Sequence, residues 1–320
     1  MRPINATYIN GLSEQGKKQL LTSNFNTLIL TFLSFKVDED KVQGIVDGSL
    51  ASGDLSQWMA QIKQSDKTLL FSVGGEFVSP QYLEFLFQGP DSDQINAATY
   101  SQVLSLLQNM LTGGKMVLTS MTGKAFAVDF GPGFDGIDLD LENFTEYASD
   151  SAINTLWVNR LHHLNLALRQ DLGPDCIITH APQTPYMLSS NAWPGANGTN
   201  THGLYSQLMA RSGSALSWIN VQIYNQGNFK DPHELENLLE ALFMDFPQQL
   251  NVPLEKLVLT LPFSSTQAGS GYVSPDMLEE AIQGLISKGV TPQGYNGWAS
   301  AAYDTVTPAW DKVFKNLLSQ

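Results

Sequence analysis

Short β-rich apolar runs alternate with helical patterns along the whole of this sequence. Eight of the apolar runs predict strands, at residues 6–9, 27–32, 68–73, 134–143, 176–181, 218–224, 257–263 and 297–302. Helical patterns occupy residues 14–21, 54–63, 95–111, 117–129, 152–172, 232–246, 275–287 and 308–318. Eight strands interleaved with helices in 320 residues predict an α/β fold, a (β/α)8 TIM barrel forming one domain over residues 1–320.

An open doubly wound sheet is the alternative architecture for such a pattern. It would favour a glycine-rich phosphate-binding turn after the first strand, whereas the sequence there is Asn10-Gly11-Leu12. No linker rich in proline, serine or charge divides the chain. The single-domain barrel is therefore the preferred prediction.

The fourth predicted strand has an apolar face and an acidic face. The apolar face carries Ile137, Leu139 and Leu141, and the alternate positions carry Asp138, Asp140 and Glu142. In a barrel the acids would point to the axis, with Glu142 at the carboxyl end of the strand, where TIM-barrel enzymes place their catalytic residues. Neighbouring carboxylates repel one another and are costly to bury, which favours an acid catalyst with carboxylate helpers. A solvated edge strand or a metal site is the alternative interpretation.

Composition excludes several classes of function. The formal net charge of −14 argues against binding to DNA, RNA or anionic membranes, which need a basic surface. No apolar run of about 18 residues predicts a membrane span, and the first residues lack the apolar segment of a signal peptide. The single cysteine, Cys176, excludes an internal disulfide and is expected to be a small buried apolar residue.

The acidic strand, Asp135-x-x-Asp138-x-Asp140-x-Glu142, resembles the strand-four signature of glycoside hydrolase family 18, the chitinase family. Further segments resemble family motifs in the same order along the chain. They are Ser72-Val73-Gly74-Gly75 at strand three, Ala181-Pro182-Gln183 at strand five, Gln222-Ile223-Tyr224-Asn225 at strand six, residues 268–273 after strand seven, and Trp298 at strand eight. Several of these are similar to the hevamine-like, plant-type branch, although its disulfides are absent and the segments 110–133 and 186–205 are longer here.

The resemblance implies a role for each acid. Glu142 would be the general acid that protonates the glycosidic oxygen, and Asp140 would orient the acetamido group of the substrate, which attacks the anomeric carbon. Asp138 would share a proton with Asp140. Asp135 points away from the axis by parity, so a structural role at the start of the strand is expected.

The resemblance also implies residues that bind the substrate. Tyr224 would donate a hydrogen bond to the acetamido oxygen, with Gln222 and Asn225 nearby, and Trp298 would form the floor under the sugar whose bond is cleaved. A core aromatic is the alternative for both Tyr224 and Trp298. Further residues at strand ends are expected to line the cleft: Tyr8, Phe32, Gly75, Gln183 and Tyr186.

The expected activity is endo-hydrolysis of β-1,4-linked N-acetylglucosamine in chitin or chito-oligosaccharides. It would proceed with retention through an oxazolinium intermediate and need no metal or cofactor. An endo-β-N-acetylglucosaminidase acting on N-glycans and a non-catalytic chitin-binding lectin on the same fold are the alternatives. The partner is thus a glycan, with no nucleic acid or membrane partner, and we expect a monomer. Because this polymer is extracellular in most settings, a secreted protein is expected.

Overall fold

The structure is a closed barrel of parallel strands surrounded by helices. This computed structural model describes residues 2–39, 41–75, 80–142, 151–187, 204–250, 252–299 and 307–320. The strands are β1 (Ile4–Ile9), β2 (Thr27–Asp38), β3 (Lys41–Val46), β4 (Thr68–Gly74), β5 (Lys115–Ser120), β6 (Ala125–Asp129), β7 (Gly136–Asp140), β8 (Ile177–His180), β9 (Trp218–Gln222), β10 (Leu257–Pro262) and β11 (Gly294–Ala299). The helices are α1 (Glu14–Thr22), α2 (Ser56–Gln64), α3 (Ala97–Thr112), α4 (Ser151–Leu172), α5 (Thr184–Met187), α6 (Leu204–Ser212), α7 (Pro232–Glu240), α8 (Phe246–Leu250), α9 (Pro275–Ser287) and α10 (Thr307–Leu317).

Eight parallel strands close the barrel, in the order β1, β2, β4, β7, β8, β9, β10 and β11. Closure is complete because β1 pairs with β11 on one side and with β2 on the other. The predicted (β/α)8 TIM barrel is therefore confirmed. Catalytic residues of such barrels lie at the carboxyl ends of the strands, and β7 carries Asp140 at this end.

Side chains on the barrel strands alternate between two apolar layers. On β7 and just after it, Ile137, Leu139 and Leu141 belong to the large apolar cluster between strands and helices. A separate, smaller cluster fills the barrel interior and includes Ala6 and Val258. The period-two alternation places the acids of β7 on this interior side, as the sequence predicts.

The helices begin at side-chain caps that their sequences supply. Ser13, Asp231 and Ser274 precede α1, α7 and α9, and each side chain accepts a hydrogen bond from a backbone N–H in the first turn. The predicted helix over residues 232–246 is split, because a π-helical turn, Ala241–Asp245, separates α7 from α8. Within the part of the chain that the structure describes, no helix is both long and apolar enough to cross a membrane.

The prediction of a helix over residues 117–129 is wrong. These residues belong to the antiparallel hairpin β5–β6, in which Val117 pairs with Ala127 and Leu118 with Phe126. Leu118 and Val128 are buried whereas Val117 is 71% exposed, so burial alternates with the period of a strand. The strand β3, which was not predicted, joins this hairpin to the barrel and gives a side sheet in the order β2, β3, β5 and β6.

The eighth barrel strand begins earlier than predicted. β11 spans Gly294–Ala299, whereas the sequence suggests residues 297–302, and residues 300–306 lie outside the described part of the chain. Tyr295 faces outward and stacks on Phe314 of α10, with ring centroids 5.4 Å apart. The alternation then directs Trp298 inward, so the shift does not move this residue from the cleft.

Gly74 lets β4 and β7 approach closely at the carboxyl ends of these two strands. Its φ is +120°, and a Cβ built on it would lie 1.9 Å from the backbone oxygen of Asp140. We expect Gly74→Ala to lower the free energy of unfolding by about 3 kcal/mol, because backbone strain and overlap add. Gly89 is the matched control, since its φ is +131° but a Cβ added there would have nothing within 4 Å. Urea unfolding should show a clearly smaller loss for Gly89→Ala; equal losses would contradict the argument from close approach.

Candidate active site

Asp138 is the deepest of the three acids and is surrounded by donors. Its Oδ2 accepts from the Tyr8 hydroxyl at 2.8 Å and the Ser72 hydroxyl at 2.9 Å. Its Oδ1 accepts from the Thr179 hydroxyl at 2.5 Å and from Asn220 Nδ2 at 3.1 Å. The donors come from β1, β4, β8 and β9, so the closed barrel is what brings them together.

Burial and hydrogen bonding shift the pKa of Asp138 in opposite directions. Complete burial is the larger cause and holds the pKa of the carboxyl group above its ordinary value, although the four hydrogen bonds offset part of the rise by favouring the ionised form. Burial together with the charge of Asp138 holds the pKa of Tyr8 well above its ordinary value, so the phenol remains a proton donor to Asp138 at neutral pH.

Asp140 lies one step nearer the strand end and has fewer compensating contacts. Its Oδ1 accepts from Gln222 Nε2 at 2.9 Å, and the same nitrogen donates to the Ala181 carbonyl at 2.9 Å. Burial, then the charge of Glu142, then that of Asp138, raises the pKa of Asp140 well above its ordinary value. Asp140 therefore holds a proton far more readily than an exposed aspartate does.

Glu142 follows β7 and lies at the carboxyl end of the barrel, with 7% of its surface exposed. Its Oε2 accepts from Gln183 Nε2 at 3.0 Å, and Gln183 Oε1 in turn accepts from Gln226 Nε2 at 2.8 Å. This amide chain orients the carboxyl group while leaving it at the wall of a cavity.

The cavity at this end of the barrel encloses about 180 Å³. The lining residues among those described are Asn10, Phe32, Ser34, Asp47, Gly74, Gly75, Met121, Asp140, Glu142, Tyr224, Asn225, Gln267 and Trp298. Trp298 packs on two aromatic rings, with its centroid 5.8 Å from that of Phe32 and 5.7 Å from that of Tyr8. A fixed indole thus faces the same space as two carboxyl groups, an arrangement suited to the apolar face of a pyranose ring.

The loop after β10 is attached to the end of β9. Asn225 has a φ of +61°, and its backbone N–H donates to the Ser270 carbonyl at 3.0 Å. Its Oδ1 accepts from the Gly269 N–H at 2.8 Å. A Cβ on Gly271 would lie 2.7 Å from the Tyr224 Cα, so glycine is required for this close packing. These contacts fix Tyr224 at the cavity wall.

The structure sorts the predicted site residues into three groups. Seven line the cavity: Phe32, Gly75, Asp140, Glu142, Tyr224, Asn225 and Trp298. Four lie behind it: the acid Asp138, and three residues that donate hydrogen bonds to the acids, Tyr8, Gln183 and Gln222. Tyr186 is 1% exposed and is not among the described lining residues. It lies on the short helix α5 and belongs to the large apolar cluster between strands and helices. Most of the long segment 186–205 lies outside the described residues.

Sequence reasoning missed five lining residues: Asn10, Ser34, Asp47, Met121 and Gln267. Asn10 directly follows the first predicted strand, so its position at a strand end could have identified it. Ser34, Asp47 and Met121 depend on the side sheet, which was not predicted.

Asp135 takes the structural place expected of it. Its Oδ1 lies 2.7 Å from Lys63 Nζ, and its Oδ2 accepts from the Leu69 N–H at 2.8 Å. These contacts tie the start of β7 to α2 and β4, away from the cavity.

Two further buried titratable side chains, His180 and Cys176, have structural surroundings. His180 lies between the Tyr205 hydroxyl and Asn165 Oδ1, each at 2.9 Å, and burial lowers its pKa to about 3. Cys176 is buried, and burial raises its pKa to about 11, so it is a poor nucleophile at neutral pH. Among the residues described, no group of three or more His, Cys, Asp or Glu side chains is placed to hold a metal ion.

Comparison with known proteins places this geometry in context. No family model matches the chain. It is 29% identical over 195 residues to a chitinase of Enterococcus faecalis, a match covering 58% of this chain and 53% of that protein. A crystal structure of a family 18 chitinase from Pseudoalteromonas aurantia superposes with a TM-score of 0.71 and 20% identity, covering 98% of this chain and 100% of the other. The chain has the fold of the family 18 chitinases.

The chitinase fold does not decide activity by itself. A xylanase and α-amylase inhibitor from Scadoxus multiflorus shares it, with a TM-score of 0.57, 18% identity and coverage of 100% of this chain and 99% of that one. The chain also spans only about half the length of the Enterococcus chitinase. The acids and the cavity, rather than the fold, therefore determine which reaction the chain can catalyse.

The raised pKa of Asp140 has a consequence for stability. The folded state favours the protonated form of Asp140. Its contribution to the free energy of unfolding therefore falls as the pH rises from the ordinary carboxyl range through the raised pKa. Asparagine cannot ionise, so we expect Asp140→Asn to be more stable at neutral pH by on the order of 2 kcal/mol. The difference from the unsubstituted protein should grow with pH.

Urea unfolding between about pH 4 and pH 8 measures this difference. Asp135→Asn is the control, since it removes a negative charge that is paired with Lys63 and should gain no stability. A pH-independent difference for Asp140→Asn would show that Asp140 carries no ionisation cost in the folded state.

Proposed function

We propose that this protein is a chitinase that hydrolyses β-1,4 linkages between N-acetylglucosamine residues, with retention of anomeric configuration. One observation carries the proposal. Three acids lie in a row along one strand face: Asp138, Asp140 and Glu142. The outer two face a cavity that also contains the indole of Trp298. The match to a chitinase over about half its length supports the same substrate class.

Glu142 is the proposed general acid. It is the outermost of the three acids, lies at the cavity wall, and is oriented by Gln183. In the first step it gives its proton to the glycosidic oxygen as the bond from that oxygen to the anomeric carbon breaks. In the second step it takes a proton from the water that attacks the same carbon, which restores the acid.

Asp140 is the proposed partner of the substrate's acetamido group. The acetamido oxygen attacks the anomeric carbon and forms a cationic oxazolinium ring, so the substrate itself supplies the nucleophile. A carboxylate at Asp140 would accept a hydrogen bond from the acetamido N–H and stabilise the developing positive charge. Tyr224, at the cavity wall, would donate to the acetamido oxygen and hold it in line.

Asp138 is the proposed proton reservoir beneath Asp140. The two carboxyl groups repel when both are ionised, and that repulsion contributes to the raised pKa of Asp140. A shared proton relieves it. The four donors around Asp138 favour its ionised form. They therefore set how easily the proton passes to Asp138 when Asp140 ionises beside the cationic intermediate.

Trp298 is the proposed floor for the sugar that forms this intermediate. Its contacts with Phe32 and Tyr8 hold the indole in place before the substrate arrives. Gln222 and Asn225 would complete the binding site for this sugar, Gln222 through its hydrogen bond to Asp140 and Asn225 from the cavity wall beside Tyr224. The segment Gln222-Ile223-Tyr224-Asn225 is the part of this site that favours the hevamine-like branch.

We further propose that the protein acts as a monomer on a polymer outside the cell. A net charge of −14 suits a neutral or cationic polysaccharide better than nucleic acid or an anionic membrane. The proposed chemistry uses only side chains of this chain and the substrate's own acetamido group, and it requires no metal or cofactor.

The experiment replaces Glu142 with glutamine, which keeps the shape and the bond from Gln183 but has no proton to give. With chitotetraose as substrate, we expect turnover to fall by about 10³-fold while the melting temperature and oligosaccharide binding are retained. The unsubstituted protein should release the β-anomer first, measured by proton NMR. Full activity in Glu142→Gln would refute the assignment of the acid.

A high-mannose glycoprotein and insoluble chitin distinguish the alternatives. Cleavage of the glycoprotein without cleavage of chitotetraose would indicate an endo-β-N-acetylglucosaminidase. Binding to chitin by the unsubstituted protein, with no product from either substrate, would indicate a lectin on this fold.

A further inference from the structure

Two glutamine side chains lie in series behind the proposed general acid. Gln183, just after β8, donates from Nε2 to Glu142 Oε2 at 3.0 Å. Gln226, in the loop after β9, donates from its own Nε2 to Gln183 Oε1 at 2.8 Å. Gln226 is not among the described residues that line the cavity. Its link to the acid therefore passes through Gln183.

The Gln183 amide has two possible orientations, and they have opposite effects on Glu142. In the observed orientation its NH2 group faces the carboxyl group and favours the carboxylate, to which it donates. In the reversed orientation the amide would present its carbonyl oxygen. That oxygen can only accept a hydrogen bond, so it would favour the protonated carboxyl group. The orientation of this one amide thus affects how firmly the acid holds its proton.

Gln226 selects the observed orientation of the Gln183 amide. Its Nε2 is a donor, so it is matched by the Gln183 carbonyl oxygen and would be opposed by the Gln183 NH2 group. Reversing the amide would place donor against donor on one side and oxygen against oxygen at Glu142. Both hydrogen bonds would be lost at a side chain that is 7% exposed, where unpaired polar groups are costly.

The backbone on both sides of Gln226 is bonded to one serine. The Asn225 N–H donates to the Ser270 carbonyl at 3.0 Å, and the Gly227 N–H donates to Ser270 Oγ at 3.0 Å. The loop that carries Gln226 is therefore fixed at the point where its side chain meets the Gln183 amide. A side chain supported in this way keeps its orientation before any substrate binds.

We propose that Gln226 is a positioning residue for the general acid, because it fixes the Gln183 amide with its NH2 group toward Glu142. The inference rests on the proposed function, in which Glu142 gives up its proton in the first step and takes one back in the second. The neighbouring Asp140 repels a second negative charge and so opposes the loss of that proton. A donor held beside Glu142 offsets this repulsion and makes the proton easier to give.

The other titratable groups around the acid do not supply a positive charge. Asp140 on β7, Asp47 after β3 and Tyr224 after β9 line the same cavity as Glu142. Among the described lining residues there is no lysine, arginine or histidine. The affinity of Glu142 for its proton therefore depends on neutral donors such as the Gln183 amide.

The test replaces Gln226 with glutamate, which has an acceptor where glutamine has a donor. The new carboxylate attracts the Gln183 NH2 group and turns the Gln183 carbonyl oxygen toward Glu142. With chitotetraose as substrate, the alkaline limb of the kcat profile should move up by about one pH unit, because the acid keeps its proton to higher pH. Gln226→Met only removes the donor and should move the limb in the same direction by a smaller amount. No shift in either folded variant would overturn the proposal.

Asn228→Asp is the matched control for added charge. Asn228 lies in the same loop, and its Oδ1 accepts from the Gly271 N–H at 2.9 Å, a bond that aspartate can keep. The substitution adds the same charge at an exposed position, so it should move the alkaline limb by less than about 0.3 pH units. A shift equal to that of Gln226→Glu would show that charge alone acts, and the positioning role would be wrong.

A double-mutant cycle tests whether the effect passes through Gln183. In a Gln183→Met background the amide is gone, so adding Gln226→Glu should leave the alkaline limb where Gln183→Met alone puts it. A full shift that persists in this background would overturn the positioning role while the chitinase proposal stood. Failure of the unsubstituted protein to cleave chitotetraose would instead refute the proposed function, and the positioning role with it.

Discussion

The burial of three carboxyl groups along one strand is the constraint on which the rest of the site depends. Such a column is unfavourable in isolation, because each charge loses its water and each repels its neighbours. Four hydrogen-bond donors offset the cost of burying Asp138. Gln222 donates to Asp140, and Gln183 donates to Glu142 at the exposed end of the row. Asp138 is enclosed by donors from four strands whereas Asp140 and Glu142 face the cavity, so the acids differ in environment although they share one strand face.

Barrel closure is what makes this compensation possible. Tyr8, Ser72, Thr179 and Asn220 come from four different strands and converge on a single carboxyl group. An open sheet would present donors only from the two strands next to β7. The close contact of Gly74 with the backbone of Asp140 narrows the barrel at the same level. The site therefore depends directly on the fold, because the packing of β4 against β7 sets the position of the acids.

Much of this arrangement follows from sequence because strand periodicity is local. The alternation around Asp138, Asp140 and Glu142 fixes which side chains face the axis, and the structure agrees. The hairpin at residues 115–129 was missed because its strands are short and the apolar pattern of so short a segment also fits a helix. The expectation for Tyr186 came from its position after a strand, which does not reveal that residues 184–187 form a short buried helix. What sequence could not supply was the side sheet, and with it Asp47 and Met121.

Other polar side chains in the barrel interior are also buried at a cost in free energy. Thr260 and Asn296 are fully buried on neighbouring strands, and in the described structure the Thr260 hydroxyl and both polar atoms of Asn296 lack a hydrogen-bond partner. Each such group costs about 1–3 kcal/mol. The large apolar cluster outside the barrel has to offset this sum. The molecule thus separates its tasks, because the layer between strands and helices stabilises the fold, while the interior holds polar groups that stability alone would not select.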